Sequence, residues 1–336
     1  MKLTFKAFEL KLKYPFGISG YSRLSTPLIL VTIEYDGKVG YGEASMVPYM
    51  GESVETATSF LNKLELQRFK PPFDFEEVVD YLDALEQGSP AIKAAIDIAL
   101  HDLEGKLKGI PCYTMFNSVP ENMPVTAITI GIDSPEMIVR KVMDAERAQV
   151  LKVKLGSDHD QNLVKTIRSI TDKPLYADAN QGWDDKFKAL DMLYWLEEQG
   201  VEIVEQPMFK TDLEGNAWLT ERSPIPILAD EAIQRLKDIE IIKDAYHGIN
   251  VKLMKSAGMH EAFKIISRAR ELNMKVLIGC MSETSIATLA GAALAPLCDW
   301  ADLDGPFLTS NNPFNMPAFQ NGSWILPPSP GLGLTI

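Results

Sequence analysis

Histidine and cysteine are scarce in this chain, at four and three of 336 residues. Cys112, Cys280 and Cys298 have neither the paired spacing of a zinc site nor the even count of a disulfide framework, which points to a reducing compartment. Positive charge is also short. Lysines and arginines number 33 against 46 aspartates and glutamates, a net charge of −13. Nucleic acid and anionic membrane are thereby excluded as main partners, because phosphate binding needs a basic surface. No run of 18 apolar residues occurs, so no membrane-spanning helix is expected. The opening "MKLTFKAFELKLKYPFG" alternates like a strand and lacks the apolar core of a signal segment. A cytoplasmic location is expected. What the chain does have is 46% hydrophobic residues, enough to build one large core or two domains.

Residues 1–43 read as a small antiparallel meander, with a hairpin at 28–44 turning on Asp36-Gly37. Two stretches punctuated by glycine and proline, 14–27 and 46–52, read as loops. Helical periodicity follows over 53–65, 75–87 and 90–108. From about residue 123 the rhythm changes. Short apolar strands recur at 125–132, 150–156, 175–180, 203–207, 227–231, 249–254, 275–280 and 300–305. Amphipathic helices fill most of the gaps, as at 186–199 and 259–272. Eight strands with seven helices predict an α/β fold, a (β/α)7β TIM barrel lacking its last helix, with an α+β unit before it. A doubly wound open sheet is the alternative. The tail, rich in proline, glycine and asparagine, has no room for a ninth unit and is expected to return to the N-terminal region.

Charged residues fall at the C-terminal ends of these strands, where barrels build their active sites. Asp178, Glu205 and Asp230 end three consecutive strands, so three carboxylates converge and would repel one another. A hard divalent cation removes the conflict, and an all-oxygen set suits Mg²⁺, with Mn²⁺ as a substitute, better than zinc. The alternative is a salt-bridge network with Lys152, Lys154 and Lys252. Residues two apart on a strand share a face, so Lys152 and Lys154 both point into the mouth. Lys252 faces them across it. Cationic neighbours and burial are expected to depress such lysines and free an amine as base. Two lysines on opposite sides of a metal-bound carboxylate suit proton removal from one face and return to the other, through an enediolate that the metal stabilises. Lys255 reads as a solvated residue outside the mouth. Asp302 and Asp304 are surplus to the metal and call for a cation, either a substrate ammonium or a nearby lysine.

These motifs resemble the enolase superfamily, muconate-lactonizing subgroup, and within it the dipeptide epimerases. The resemblance spans essentially the whole chain. It rests on "KVK" (152–154), "DAN" (178–180), "EQP" (205–207), "ADE" (229–231) and "VKLMKSAG" (251–258), with "AAIDIALHDLEGKLKGIP" (94–111) and "PGLGL" (330–334) outside the barrel. It implies a capping domain over residues 1–122, a barrel over 123–305, and a segment, 306–336, that returns to the cap. Lys154 and Lys252 would be the acid/base pair, and Lys152 would lie near the substrate carboxylate. Asp178, Glu205 and Asp230 would hold Mg²⁺. The "DLD" at 302–304 would bind a dipeptide's α-ammonium, and Thr129 and Cys280 match substrate-contact positions. Glu283 occupies an acidic position of the family.

Relatives acting on L-Ala-D/L-Glu often carry an arginine after the "PF" turn. Here "PFGISGYSR" puts Tyr21 near that place and Arg23 two residues later. L-Ala-D/L-Glu from murein peptides is the first expectation, and an L-Ala dipeptide with an apolar second residue the next. A homo-oligomer is left open. The rivals are a cycloisomerase or o-succinylbenzoate synthase of the same superfamily, a metal-free Schiff-base aldolase, and a non-catalytic binding barrel.

Overall fold

The computed structural model describes residues 1–18, 21–46 and 50–335. Three antiparallel strands open the chain: β1 (Lys2–Ile18), β2 (Tyr21–Tyr35) and β3 (Lys38–Ser45). Asp36 and Gly37 join β2 to β3 with φ of 47° and 69°, the left-handed pair that a tight hairpin turn requires. The stretch at 14–27, expected as a loop, instead continues both strands. Phe16 pairs with Arg23 and Gly17 with Ser22, beyond an irregularity between Lys11 and Phe16. Pro15 falls within that irregularity, where its missing N–H costs no ladder bond.

Helices α1 (Val54–Leu61), α2 (Phe75–Leu85), α3 (Pro90–Lys108) and the single turn α4 (Cys112–Met115) follow. Pro90 starts α3, and Gly109 ends it at φ 71°, the usual polarity of such signals. This helix is buried on nearly every side, with β3 and β2 against it and α2 and α10 packed beside it. A Cβ on Gly40 or Gly42 would come within 2.0 or 1.9 Å of the Ala99 or Ala95 carbonyl oxygen. Glycine there lets strand and helix backbones touch. Asp97, on the same helix, accepts from the Met259 backbone N–H, tying α3 to the barrel.

Eight parallel strands then form one sheet: β4 (Ala127–Ile130), β5 (Val150–Lys154), β6 (Leu175–Asp178), β7 (Val201–Glu205), β8 (Ile227–Ala229), β9 (Gly248–Lys252), β10 (Lys275–Gly279) and β11 (Trp300–Asp302). A parallel bridge from Thr126 to Ala301 and a bond from the Leu303 N–H to Thr126 Oγ1 (2.6 Å) close it. The strands alternate with α5 (Pro135–Asp144), α6 (Asp160–Arg168), α7 (Lys186–Glu198), α8 (Leu213–Arg222), α9 (Ile239–Ile242), α10 (Met259–Glu271) and α11 (Ser285–Leu294). Among the described residues the one helix after β11 is the four-residue α12 (Gly305–Leu308), followed by a short hairpin, β12 (Phe319–Gln320) and β13 (Ser323–Trp324). The expected (β/α)7β barrel is the observed one. Ala127, Val150, Tyr176, Ile203, Leu228 and Leu277 fill its interior below the mouth. Towards the C-terminus, the Leu332 N–H donates to Asp102 on α3 and the Cys112 N–H to Gly331. No helix is long and apolar enough to cross a membrane among the described residues.

Candidate active site

Parallel pairing sets the level of each functional side chain. Thr129 pairs with Lys152, Lys154 with Asp178, and Asp178 with Glu205. Lys252 pairs with Gly279, which in turn pairs with Asp302. The polar ends of separate strands meet at the mouth. They border a cavity of about 590 Å³ that also reaches Phe16 and Arg23 of the cap. Lys152, Lys154, Lys252, Asp230, Asp302, Asp304, Thr129 and Cys280 all line it, with Asp178 and Glu205 fully buried beneath.

Asp178, Glu205 and Asp230 bring one carboxylate oxygen each to within 4.8 Å of the others. Three buried, hard oxygen donors at that separation fit a divalent cation of the Mg²⁺ class. Asn250 Nδ2 donates to Glu205 at 2.7 Å, leaving the carboxylate fixed in direction. Burial pushes the Glu205 carboxyl up to about 7 despite Lys152 beside it. Burial would raise Asp178 too, but the ammonium groups of Lys154 and Lys152 outweigh it and hold its pKa at about 2. Asp230 is held lower still against its burial, by Lys252 and Lys255.

The lysines flank this set from two sides. Lys154 Nζ lies 2.6 Å from Asp178, and Lys252 Nζ lies 2.7 Å from Asp230. Their strands, β5 and β9, are separated by three others in the ring of eight, so the two amines reach the carboxylates from opposing walls.

Lys152 departs from expectation. It is only 1% exposed and pairs with Asp302 (2.7 Å), Glu205 (2.8 Å) and Asp178 (3.2 Å). Burial works to lower its pKa, but these three carboxylates hold it well above the ordinary lysine value. It is a fixed cation rather than a depressed amine. Lys255 is a second correction. Far from being solvated, it is 3% exposed and donates to the carboxylate and main-chain carbonyl of Asp230. After Lys252 the backbone makes a tight turn, with the Lys255 N–H bonded to the Lys252 carbonyl, and this swings the side chain back to the mouth. Burial pulls the Lys255 pKa down.

Asp302 and Asp304 take different partners. Asp302 Oδ2 pairs with Lys152, as the lysine alternative had it, while its Oδ1 is buried without a hydrogen bond. Asp304 lies just past the end of β11. It accepts from the Thr129 N–H at 2.7 Å and approaches Cys280 Sγ at 3.6 Å. Burial and the charge of Asp302 push its carboxyl up to about 6. Burial, with Asp304 adjacent, also keeps the Cys280 thiol protonated.

Three further residues shape the site. Glu231, after Asp230, lines the cavity and accepts from Asn180 Nδ2 at 3.2 Å. Burial and the charges of Asp230 and Asp178 push it up to about 7. Gln206 sits at φ 37°, which turns its amide inward. Its Oε1 accepts from the Asp230 and Ala232 N–H groups, and its Nε2 donates to Tyr246. Asn250 shares the face of Lys252, two residues on, and that spacing was a readable signal. Arg23 reaches the cavity from the cap, whereas the side chain of Tyr21 lies outside the described residues.

Residues 2–116 match the mandelate racemase/muconate lactonizing enzyme N-terminal domain, and residues 137–336 the enolase C-terminal domain-like family. An L-Ala-D/L-Glu epimerase of Bacteroides thetaiotaomicron is 49% identical over 335 residues, covering 99% of this chain and 88% of that one. A dipeptide epimerase of Enterococcus faecalis, solved with Mg and L-Leu-L-Tyr, superposes with a TM-score of 0.91 at 31% identity, covering 99% of each chain. The L-Ala-D/L-Glu epimerase of Bacillus subtilis, solved with substrate, gives 0.90 at 27% identity over 99% of this chain and 98% of that one. With its N-terminal and barrel regions both matched and its whole length shared with such relatives, the chain belongs to the enolase superfamily, in the mandelate racemase/muconate lactonizing enzyme family.

Proposed function

We propose that this protein is a Mg²⁺-dependent dipeptide epimerase that inverts the α-carbon of the second residue, with L-Ala-D/L-Glu as its preferred substrate. The observation that carries this reading is the placement of Lys154 and Lys252 on opposing walls around one carboxylate triad. Asp178, Glu205 and Asp230 would hold Mg²⁺, which would supply positive charge to offset the negative charge that develops when the α-proton leaves. Lys154 takes that proton from one face, and Lys252 returns one to the other. The reverse direction exchanges their roles. Lys152 keeps its proton and screens the carboxylates of the triad from one another. Asp304, with the spare oxygen of Asp302, receives the substrate's α-ammonium.

Arg23 supports an acidic second residue. Phe16 lies 5.6 Å from its guanidinium carbon and 5.9 Å from Lys154 Nζ, so the arginine flanks the wall that carries one of the acid/base groups. The extended β1–β2 arms carry Arg23 to the mouth. The division into a cap (1–122), a barrel (123–305) and a returning segment (306–336) belongs to the same proposal. Incubating a dipeptide library with the enzyme and Mg²⁺ in deuterium oxide tests it. Deuterium should enter the second residue, with epimer formation, and most rapidly in L-Ala-L-Glu. No incorporation into any free dipeptide would overturn the reading.

A further inference from the structure

The segment that follows β10 is held by the cap at three points. Arg23 Nη2 donates to Ser282 Oγ at 2.8 Å, and Ser45 Oγ donates to the Ser282 carbonyl at 2.7 Å. Two residues further on, the backbone N–H of Thr284 donates to Glu43 at 2.8 Å, and its hydroxyl bonds the same carboxylate. Ser282, Glu43 and Ser45 are all buried. Arg23 and Ser282 both line the catalytic cavity. A mobile arginine on a hairpin arm would lose side-chain entropy on every binding event. Here a buried hydroxyl, itself anchored through its own main chain, takes up that ordering beforehand. The acceptor is neutral, so this bond orients the guanidinium without cancelling its charge.

From this geometry we propose that Ser282 is a specificity-determining positioning residue, which aims Arg23 at an acidic side chain on the second residue of the dipeptide. The inference rests on the epimerase reading and adds to it the device that fixes the preference. It makes recognition of the second residue a property of the seam between cap and barrel. The reacting groups stay on the barrel alone.

Steady-state kinetics of Ser282→Ala with L-Ala-L-Glu and L-Ala-L-Leu test the proposal. For L-Ala-L-Glu, KM should rise roughly tenfold with kcat nearly unchanged, the scale of one hydrogen bond to a charged group. For L-Ala-L-Leu, both constants should stay within about twofold. Ser282→Thr, which keeps the hydroxyl, should restore the low KM. In an Arg23→Met background, Ser282→Ala should add no further loss on L-Ala-L-Glu, because the two residues act as one unit. Equal losses on both dipeptides would mean a merely structural role and overturn the proposal. So would an unchanged KM, or fully additive losses in the double variant. If the wild-type enzyme turns over neither dipeptide, the epimerase reading itself falls. Wild-type turnover with no selective change in Ser282→Ala removes only this inference.

Discussion

Lys255 donates to the main-chain carbonyl of Asp230 at 2.6 Å and to the carboxylate of the same residue. One buried ammonium thus holds both ends of a single metal-ligand candidate, while Lys252 occupies the other carboxylate oxygen. Replacing Lys255 by methionine leaves Asp230 with less compensating charge in the same dry surroundings. Breaking a buried ion pair costs about 3–5 kcal/mol, so Lys255→Met should lower unfolding free energy by that order in urea titrations. A divalent cation at the triad restores positive charge. Added Mg²⁺ should therefore raise the melting temperature of Lys255→Met by more than it raises the wild type. Equal Mg²⁺ stabilisation of both would place the cation away from Asp230.

Both the barrel and its mouth were legible in the sequence because they rest on short-range rules. Strand ends carry the charges, and residues two apart share a face, which correctly grouped Lys152 with Lys154. The errors arose where backbone conformation departs from those rules. Lys255 follows a tight turn, so counting three residues beyond a strand says nothing of its direction. Gln206 adopts a positive φ, which brings inward a side chain that strand alternation would send outward. The pKa direction of Lys152 was missed for a different reason. Its value depends on three carboxylates from three other strands, and their distances exist only after folding.

The two-lysine reading makes a sided prediction. With Lys252→Ala, the enzyme keeps an amine on the Lys154 wall alone, and epimerisation should fall by at least about 10²-fold. One stereoisomer of the substrate should still exchange its α-proton with deuterium oxide, and the other should not. Lys154→Ala should show the opposite choice of stereoisomer. Proton NMR of each epimer in deuterium oxide follows both. Exchange of the same stereoisomer in both variants would sink the opposed arrangement.

Buried carboxyls at the seam between cap and barrel predict a pH dependence of stability. Burial pushes Glu43 up to about 7, and burial with Glu43 nearby pushes Glu283 up to about 8, from an ordinary value of 4.5. The native state then binds these protons more tightly than the unfolded chain. Their contribution is fully present below about 4.5 and is lost as pH rises through about 7 and 8. Glu283→Gln keeps a neutral side chain of the same shape at every pH. Relative to wild type it should become progressively more stable between pH 5 and 9, by an amount on the order of a few kcal/mol. Urea denaturation across that range measures it, and a constant difference between the two proteins would refute the protonated native state.

Asp304 gives the proposed binding of a substrate ammonium its most direct test. Burial and Asp302 push its carboxyl up to about 6, while Lys152 is committed to Asp302 on the other side. A positively charged group arriving beside Asp304 relieves both the burial cost and the repulsion, so free dipeptides should bind where N-acetyl dipeptides do not. Acetylation removes the charge and leaves the pair uncompensated. The loss in kcat/KM should be about 2–5 kcal/mol, or roughly 30- to 5000-fold. The same group should appear in the pH profile. Below about 6, Asp304 becomes protonated and no longer attracts the ammonium, so kcat/KM for free dipeptides should fall on the acid side. Asp304→Asn should lower kcat/KM at neutral pH and abolish that part of the acid limb, since no proton remains to be gained there. An N-acetyl dipeptide should be nearly indifferent to the substitution. Should acetylated and free dipeptides be epimerised equally well, Asp304 serves the fold rather than the substrate, and the α-ammonium must bind elsewhere.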